Sequence, residues 1–381
     1  NDNVFKNAMA LLVIYRLAEQ SPIAPQVLVS VAAGLFILPF FLFSATAGQL
    51  ADRFEKSGLI RLVKFTEILI AGLGAWALLT SSVLGMLAVL FLLGVQATFF
   101  GPLKYAILPE QLAEKELVGG NALIEGGTFL AILLGTIAGG ILVLQDGGTG
   151  LIATLVISLS LAGFAASLFL PKAHSGNAEL RINPNFVGET LHLLGMVRAN
   201  RSLFLSVLCI SWFWLVGATY LAQFPAFAKD VLHADEQAVT LMLTVFSVGI
   251  GIGSIICTRL LHGEISARYV PFAALAMALF AFDLWLTSLG LASRPGEIQT
   301  IGAFLAHASS WRVLGDLLLL AIAGGIYIVP LYTILQTRSE ESQRARMIAA
   351  NNIMNAAFMV LSAAASALML SMGFSVPEIF L

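Results

Sequence analysis

Gly48-Gln49-Leu50-Ala51-Asp52-Arg53-Phe54-Glu55-Lys56 is the stretch on which the fold turns. It separates two apolar runs, 26–50 and 61–80, and packs Asp52, Arg53, Glu55 and Lys56 into the gap between them. Each run is near the ~20 residues that a helix needs to cross a hydrocarbon core. A short charged turn between two such runs reads as the link between two membrane-spanning helices. Gly48 lets a neighbouring backbone come close. Asp52 can face a helix N-terminus or an arginine, and Arg53 and Lys56 suit the membrane surface. An ordinary charged turn with no further role is the alternative.

The rest of the chain follows the same pattern. Of 381 residues, 59% are hydrophobic and only 11% charged, against about 25% charged in a soluble domain. Apolar runs recur at 1–18, 26–50, 61–80, 83–104, 119–145 and 150–170, then at 203–228, 237–262, 268–291, 312–336 and 344–373. The fold class is therefore an all-α polytopic membrane protein. Val4 to Leu17 is too short to span, so the first helix is expected to be partial, with Asp2 and Lys6 near its middle. A twelfth helix is expected to be missing from this chain. The plan is then six plus six: an N-terminal bundle at 1–170, a central loop at 171–201 and a C-terminal bundle at 202–381. Within the loop, Phe186, Val187, Leu191, Leu194 and Val197 recur at helical spacing, which predicts a short amphipathic helix on the membrane surface.

Charge placement predicts orientation. Most of the 20 Lys and Arg residues fall in alternate loops at 51–64, 104–118, 171–201, 259–268 and 337–346, while Arg16, Lys229, Arg294 and Arg312 lie on the other side. By the positive-inside rule the richer set is cytoplasmic, the central loop included. The net charge of −2 gives no reason to expect nucleic acid as a partner. Cys209 and Cys257 lie far apart in apolar runs and read as small buried hydrophobes. The five histidines form no His-x4-Asp box and no metal-spaced pair, and no Gly-x4-Gly-Lys phosphate loop is present. The chain is expected to be no enzyme and to need no cofactor or metal.

Charges inside the apolar runs are then the informative residues. A mid-helix charge costs about 2.5–3.5 kcal/mol on insertion scales, so it must face a cavity or a partner. Asp2 and Lys6 stand four residues apart on one helix face. Glu125 lies a turn or two inside the fifth run, and Lys104 follows Gly101-Pro102 at the end of the fourth; for both, an interfacial side chain reaching water is the alternative. Gly135 and Gly139 form a small-xxx-small pair for close helix contact. Asn351, Asn352 and Asn355 cluster on the last run, where inter-helix hydrogen bonds serve as well as ligand contacts. Trp212, Trp214, Tyr220 and Gln223 can line a cavity or anchor an interface. Arg312 and Asp316 are expected to pair at i,i+4, and Glu67 is expected near a helix end, paired with Lys64.

Gly48 to Lys56 resembles the loop signature of the major facilitator superfamily, G-x-L-A-D-R-x-G-R/K, with Glu55 where the superfamily usually has glycine. That resemblance implies the major facilitator fold and a gating role for Gly48, Asp52 and Arg53. A narrower likeness lies in Gly-Pro-Leu-Lys-Tyr at 101–105, Asn-Ala-Leu-Ile-Glu at 121–125, Ala-Ile-Leu-Leu-Gly at 131–135, Gly-Gly-Ile-Tyr-Ile-Val-Pro-Leu-Tyr at 324–332 and Asp2-Asn3. These runs look like the bacterial lysophospholipid transporter family, including members fused to acyltransferase and acyl-carrier-protein synthetase domains. The resemblance implies a flippase that moves lysophosphatidylethanolamine and lysophosphatidylglycerol from the outer to the inner leaflet of the inner membrane. An acyltransferase partner would reacylate them there. It maps the helix-one acid onto Asp2 and the helix-four base onto Lys104, and puts Tyr220 where enteric members carry a base on helix seven.

Residue reading and resemblance together give a candidate substrate set of Asp2, Lys6, Lys104, Tyr105, Asn121, Glu125, Tyr220, Asn351 and Asn355. Alternating access is the expected mode. Two alternatives are proton-coupled efflux of a drug or metabolite, and a membrane anchor for an acyltransferase that transports nothing.

Overall fold

A computed structural model of the chain describes residues 1–15, 25–173, 176–177, 179–292 and 298–381. Arg16 and Arg294, and the end of the first expected span, lie outside the described residues. Among the described residues the α-helices are, in order, α1 Asp2–Tyr15, α2 Pro25–Arg53, α3 Lys56–Leu79, α4 Val83–Ala106, α5 Leu108–Gln111, α6 Leu117–Val143, α7 Gly148–Leu168, α8 Phe186–Ala199, α9 Arg201–Ala226, α10 Glu236–Leu261, α11 Val270–Ala292, α12 Ile301–Leu305, α13 Ala308–Arg338, α14 Arg344–Ser371 and α15 Val376–Phe380. Ten of the described helices are long and apolar enough to cross a membrane. The all-α polytopic expectation holds.

Helix starts are fixed by side chains that satisfy orphan backbone N–H groups. Glu55 caps α3, accepting from the N–H groups of Ser57 at 3.0 Å and Gly58 at 2.7 Å. Ser82 caps α4 and Asp235 caps α10. His262 ends α10 in a left-handed conformation, φ 49°. The expected helix of the central loop is α8, capped by Asn185. Leu193 and Val197 are buried while Phe186, Val187 and Leu191 are exposed, so its apolar residues lie on more than one face.

The helices group into two compact units. One comprises Asn1–Gln111, Leu134–Arg201 and Arg338–Ile353. Its core runs from Val4, Phe5, Ala8, Met9 and Leu12 of α1 through Leu78, Met86 and Leu90 to Ile152 and Val156. Short as it is, α1 is thus a packed core helix. Gly135 and Gly139 make its seat: a β-carbon at Gly135 would stand 3.1 Å from Cβ of Asn3, and one at Gly139 would overlap the Val4 carbonyl. The small-xxx-small pair therefore serves the α1–α6 contact.

The other unit comprises Leu112–Leu133, Ser202–Thr337 and Met354–Leu381. Aromatic rings dominate its interior. Phe129 packs against Phe213, Trp214 and Phe246. Tyr220 packs against Phe224, Phe246 and Phe380, the last at a centroid separation of 4.3 Å with rings 5° apart.

Candidate functional site

The signature stretch forms a polar joint in the first unit. The Asp52 carboxylate, with none of its side chain exposed, accepts from the N–H of Ala345 at 2.9 Å and from the N–H and Nε of Arg346 at 3.2 and 3.0 Å. It therefore meets both partners open to it from sequence, a helix N-terminus and an arginine at once. An acid there suits the positive end of the α14 dipole. Gly48 permits the approach, because a β-carbon would stand 2.8 Å from Cβ of Ala349 and 2.9 Å from Cα of Arg346. Arg53 lies over the Phe54 ring at 5.4 Å and makes no part of this joint.

Glu55, the departure from the usual glycine, has its own work. Besides capping α3 it accepts from Ser57 Oγ and from the Ala173 N–H at 2.9 Å. Burial pushes its carboxyl up, but the Ser57 hydroxyl and the N–H groups of Ala173, Gly58 and Ser57 outweigh that and hold it below the usual carboxylate range. Lys56 is buried in a 2.5 Å ion pair with Glu110 of α5. The central loop is tied to the same stretch, through Asn177 N–H to the Asp52 carbonyl at 2.9 Å and Asn183 N–H to Gln49 Oε1 at 2.6 Å.

Asp2 and Lys6 occupy α1 in the same unit and interact electrostatically. Lys6 Nζ lies 5.9 Å from the centre of the Phe36 ring. Asp2 is also within electrostatic reach of Lys64 and Glu67. Glu67 stands midway along α3, not near its end, and three donors converge on it: Lys64 Nζ at 2.8 Å, Gln96 Nε2 at 2.9 Å and Asn1 Nδ2 at 2.6 Å. The Lys64–Glu67 pairing itself is as expected. Lys104 Nζ lies 4.6 Å from the Tyr105 ring centre. One turn before it, Gly101 admits the amide of Asn352. Asn351 is fully buried, and neither amide atom has a hydrogen-bond partner among the described residues.

The remaining candidates lie in the second unit. Asn121 donates to Gln336 Oε1 at 2.6 Å and Thr333 Oγ1 at 3.1 Å, and accepts from Gln336 Nε2 at 3.1 Å. Glu125, one turn on, is fully buried. Asn355 accepts from Ser211 Oγ at 2.9 Å. Tyr220 is 2% exposed, with its hydroxyl 3.4 Å from the Phe380 carbonyl. Trp214 donates to the Tyr332 hydroxyl at 3.1 Å. The candidate set thus divides, with Asp2, Lys6, Lys104, Tyr105 and Asn351 in one unit and Asn121, Glu125, Tyr220 and Asn355 in the other.

Arg312 is within electrostatic reach of Asp316, as the i,i+4 expectation has it, but its close ion pair is with another acid. The guanidinium reaches across to α11 and grips both oxygens of Asp283, Nε to Oδ2 at 3.1 Å. A fork from a neighbouring helix fits a carboxylate in plane, which a partner one turn along the same helix cannot offer as well. Sequence gave no sign of Gln96, Thr333, Gln336 or Phe380 as partners, because each contact joins segments far apart in the chain. Among the described residues no His, Cys, Asp and Glu side chains gather in a group able to hold a metal ion.

Residues 5–363 match the sequence profile of the Major Facilitator Superfamily. The chain belongs to the major facilitator superfamily. Among curated members, the lysophospholipid transporter LplT of Klebsiella pneumoniae (strain 342) is 28% identical over 345 residues, 89% of this chain and 79% of the relative. LplT of Salmonella arizonae is 29% identical over 322 residues, 81% of this chain and 71% of the relative. Among solved superfamily structures, the proton:xylose symporter XylE aligns with a TM-score of 0.68 at 16% identity, and the E. coli fucose:proton symporter FucP with 0.69 at 11%. Both alignments cover all of this chain, with 90% of XylE and 92% of FucP. At such identities these two likenesses speak for the fold alone. This superfamily member is accordingly a multi-pass membrane transporter.

Proposed function

We propose that the protein is a lysophospholipid transporter of the bacterial inner membrane, moving lysophosphatidylethanolamine and lysophosphatidylglycerol from the outer to the inner leaflet by alternating access. The observation that carries this reading is the likeness to LplT over most of the chain, in company with a charged group on α1 that a hydrocarbon environment would not otherwise tolerate. Asp2 and Lys6 offer opposite charges to a head group that carries a phosphate and, in one substrate, an ammonium. Lys104 supplies a second cation, and the Phe-rich interior of the second unit suits an acyl chain.

The Asp52 joint is the gate in this reading. It holds the N-terminus of α14 by charge-assisted hydrogen bonds, which are strong yet few enough to break in a transport cycle. The central loop and the other Lys- and Arg-rich loops face the cytoplasm, in line with the positive-inside rule. Lipid delivered there would meet an acyltransferase, fused or separate.

The test is a vesicle assay with the purified full chain. Lysophosphatidylethanolamine labelled in one leaflet should reach the other faster than in protein-free vesicles, and Asp2→Asn should abolish the gain. Failure of the wild-type protein to move the lipid, with retained fold, would favour the anchor reading. Movement only under an imposed proton gradient, with drugs or metabolites moved equally well, would favour efflux.

A further inference from the structure

Lys64 and Glu67 lie outside the candidate set, and from sequence they look like a minor pair at a helix end. Their place in the fold differs. Glu67 sits midway along α3 and is buried, while Gln96 reaches it from just past the middle of α4. Lys64 Nζ rests 2.8 Å from Glu67 and 4.4 Å from the centre of the Phe100 ring. We infer that Lys64 and Glu67, with Asn1 and Asp2, form a head-group subsite for a zwitterionic phosphodiester, Lys64 taking the phosphate and Glu67 the ammonium. This deepens the lysophospholipid reading and rests on it.

Four features support the assignment. The first is what holds Glu67. Two of its three donors, Asn1 just before α1 and Gln96 on α4, are neutral amides, and they keep the carboxylate in position if Lys64 turns away. The lysine, on a flexible four-carbon stem, is the partner free to leave. Second, the Lys64–Glu67 ion pair is not what ties the helices together. Lys64 and Glu67 belong to one turn of α3, so their ion pair joins no two helices. Third, the Lys64 side chain is 19% exposed and that of Glu67 only 7%, so the lysine is the more open member of the pair. Fourth, Asn1 Oδ1 is buried and accepts no hydrogen bond among the described residues, an acceptor ready for an ammonium N–H.

Charge balance then selects the ligand. Besides the Asn1 amine, Glu67, Lys64 and Lys6 lie within electrostatic reach of Asp2, so acids and bases stand together there. A zwitterion can insert between Lys64 and Glu67 and leave every charge paired in a medium where an unpaired one is expensive. An anionic head group takes Lys64 and leaves Glu67 without its cation. The subsite therefore favours amine-bearing head groups.

Reconstituted full-length protein tests this with K64Q, E67Q and the double variant, assayed on lysophosphatidylethanolamine and lysophosphatidylglycerol. E67Q should lower the rate ratio of the amine lipid to the glycerol lipid about tenfold or more, the size expected for one charge-assisted hydrogen bond. K64Q should slow both lipids, and K64Q/E67Q should not recover. Wild-type rates in the double variant would mark the pair as structural and overturn the proposal, as would an unchanged ratio in E67Q. Should K64Q fail to fold, the E67Q ratio decides alone. Glycerophosphoethanolamine, the head group without its acyl chain, should compete in wild type and not in E67Q. Equal competition by inorganic phosphate would overturn the ammonium assignment. If wild type moves neither lipid, the proposed function fails, and the subsite is judged by binding of glycerophosphoethanolamine to the purified chain. Its loss in E67Q would support the subsite, and its absence in wild type would overturn it.

Discussion

Asp52 and Arg346 meet twice: the carboxylate accepts from the arginine's N–H and Nε, and takes a third bond from the N–H of Ala345 just before it. A single side chain thus serves as helix cap, dipole partner and salt-bridge acceptor. Asp52→Asn keeps one acceptor oxygen but loses the charge, and a hydrogen bond to a charged group is worth about 1.5–3 kcal/mol. The released state of α14 should gain roughly tenfold or more in population. A cysteine at the buried Ala345 reads this directly: maleimide labelling of A345C should rise in a D52N background and stay low without it. Equal labelling in both would mean that Asp52 does not hold the helix.

Gly48 governs the same contact through space alone. A valine side chain there would press on the backbone of Arg346 as well as on Ala349, and backbone cannot turn aside. Gly48→Val should therefore raise A345C labelling beyond the level of D52N, while expression and detergent-extracted yield remain close to wild type.

Glu55 gives a pH prediction. Its carboxyl is held below the usual range, so it contributes stability that is present above the unfolded value of ~4.3 and lost as pH falls through the folded value. Thermal stability of the wild type should drop on acidification below about pH 4.3, and E55Q should show less of that drop. Restoring the usual glycine, Glu55→Gly, removes the α3 cap, at roughly a few tenths of a kcal/mol since glycine is tolerated there, and with it the charge-assisted bond to Ala173, at about 1.5–3 kcal/mol. A melting curve that is the same for E55G and wild type at neutral pH would refute the capping role.

The class of fold was legible because hydropathy writes each membrane helix into a continuous local run, and Gly48 to Lys56 carried both a turn and a joint in nine letters. The joint was half legible. Asp52 announced that it needed a helix end or an arginine, but Arg346 is nearly three hundred residues away, and nothing local selects it among the basic residues near that end. Glu67 was misplaced for a related reason. Its i,i+3 lysine offers a sufficient local explanation, which hides the Asn1 and Gln96 bonds that only packing creates. Arg312 shows the same error reversed, a local partner preferred over the distant Asp283.

Two polar contacts in the second unit should differ sharply in worth. Asn121 and Gln336 are fully buried and exchange amide hydrogen bonds in both directions. Inter-helix hydrogen bonds in membrane proteins average ~0.6 kcal/mol and reach ~1.7, and Asn121→Leu breaks both of these at once. Its cost should lie at or above the upper figure. Arg312 and Asp283 are partly exposed, so Arg312→Met should cost under about 1 kcal/mol despite the good fork geometry. Denaturant or thermal unfolding of the two variants side by side measures the difference, and the reverse order would overturn it.

Tyr220 separates packing from recognition. Its ring lies flat on Phe380 and edge-on to Phe224, and its hydroxyl makes one long bond to the Phe380 carbonyl. If the ring is what matters, Tyr220→Phe should preserve both stability and lysolipid movement, since the hydroxyl adds little at 3.4 Å. Tyr220→Ala should cost about 3–5 kcal/mol by opening a cavity in the aromatic core, as for other large buried aromatics. A head-group role for the hydroxyl predicts otherwise: Tyr220→Phe would then melt like the wild type and yet move the lipid several-fold more slowly. Melting temperature and flip rate measured on the same preparation distinguish the two, and the burial of this side chain favours the packing outcome.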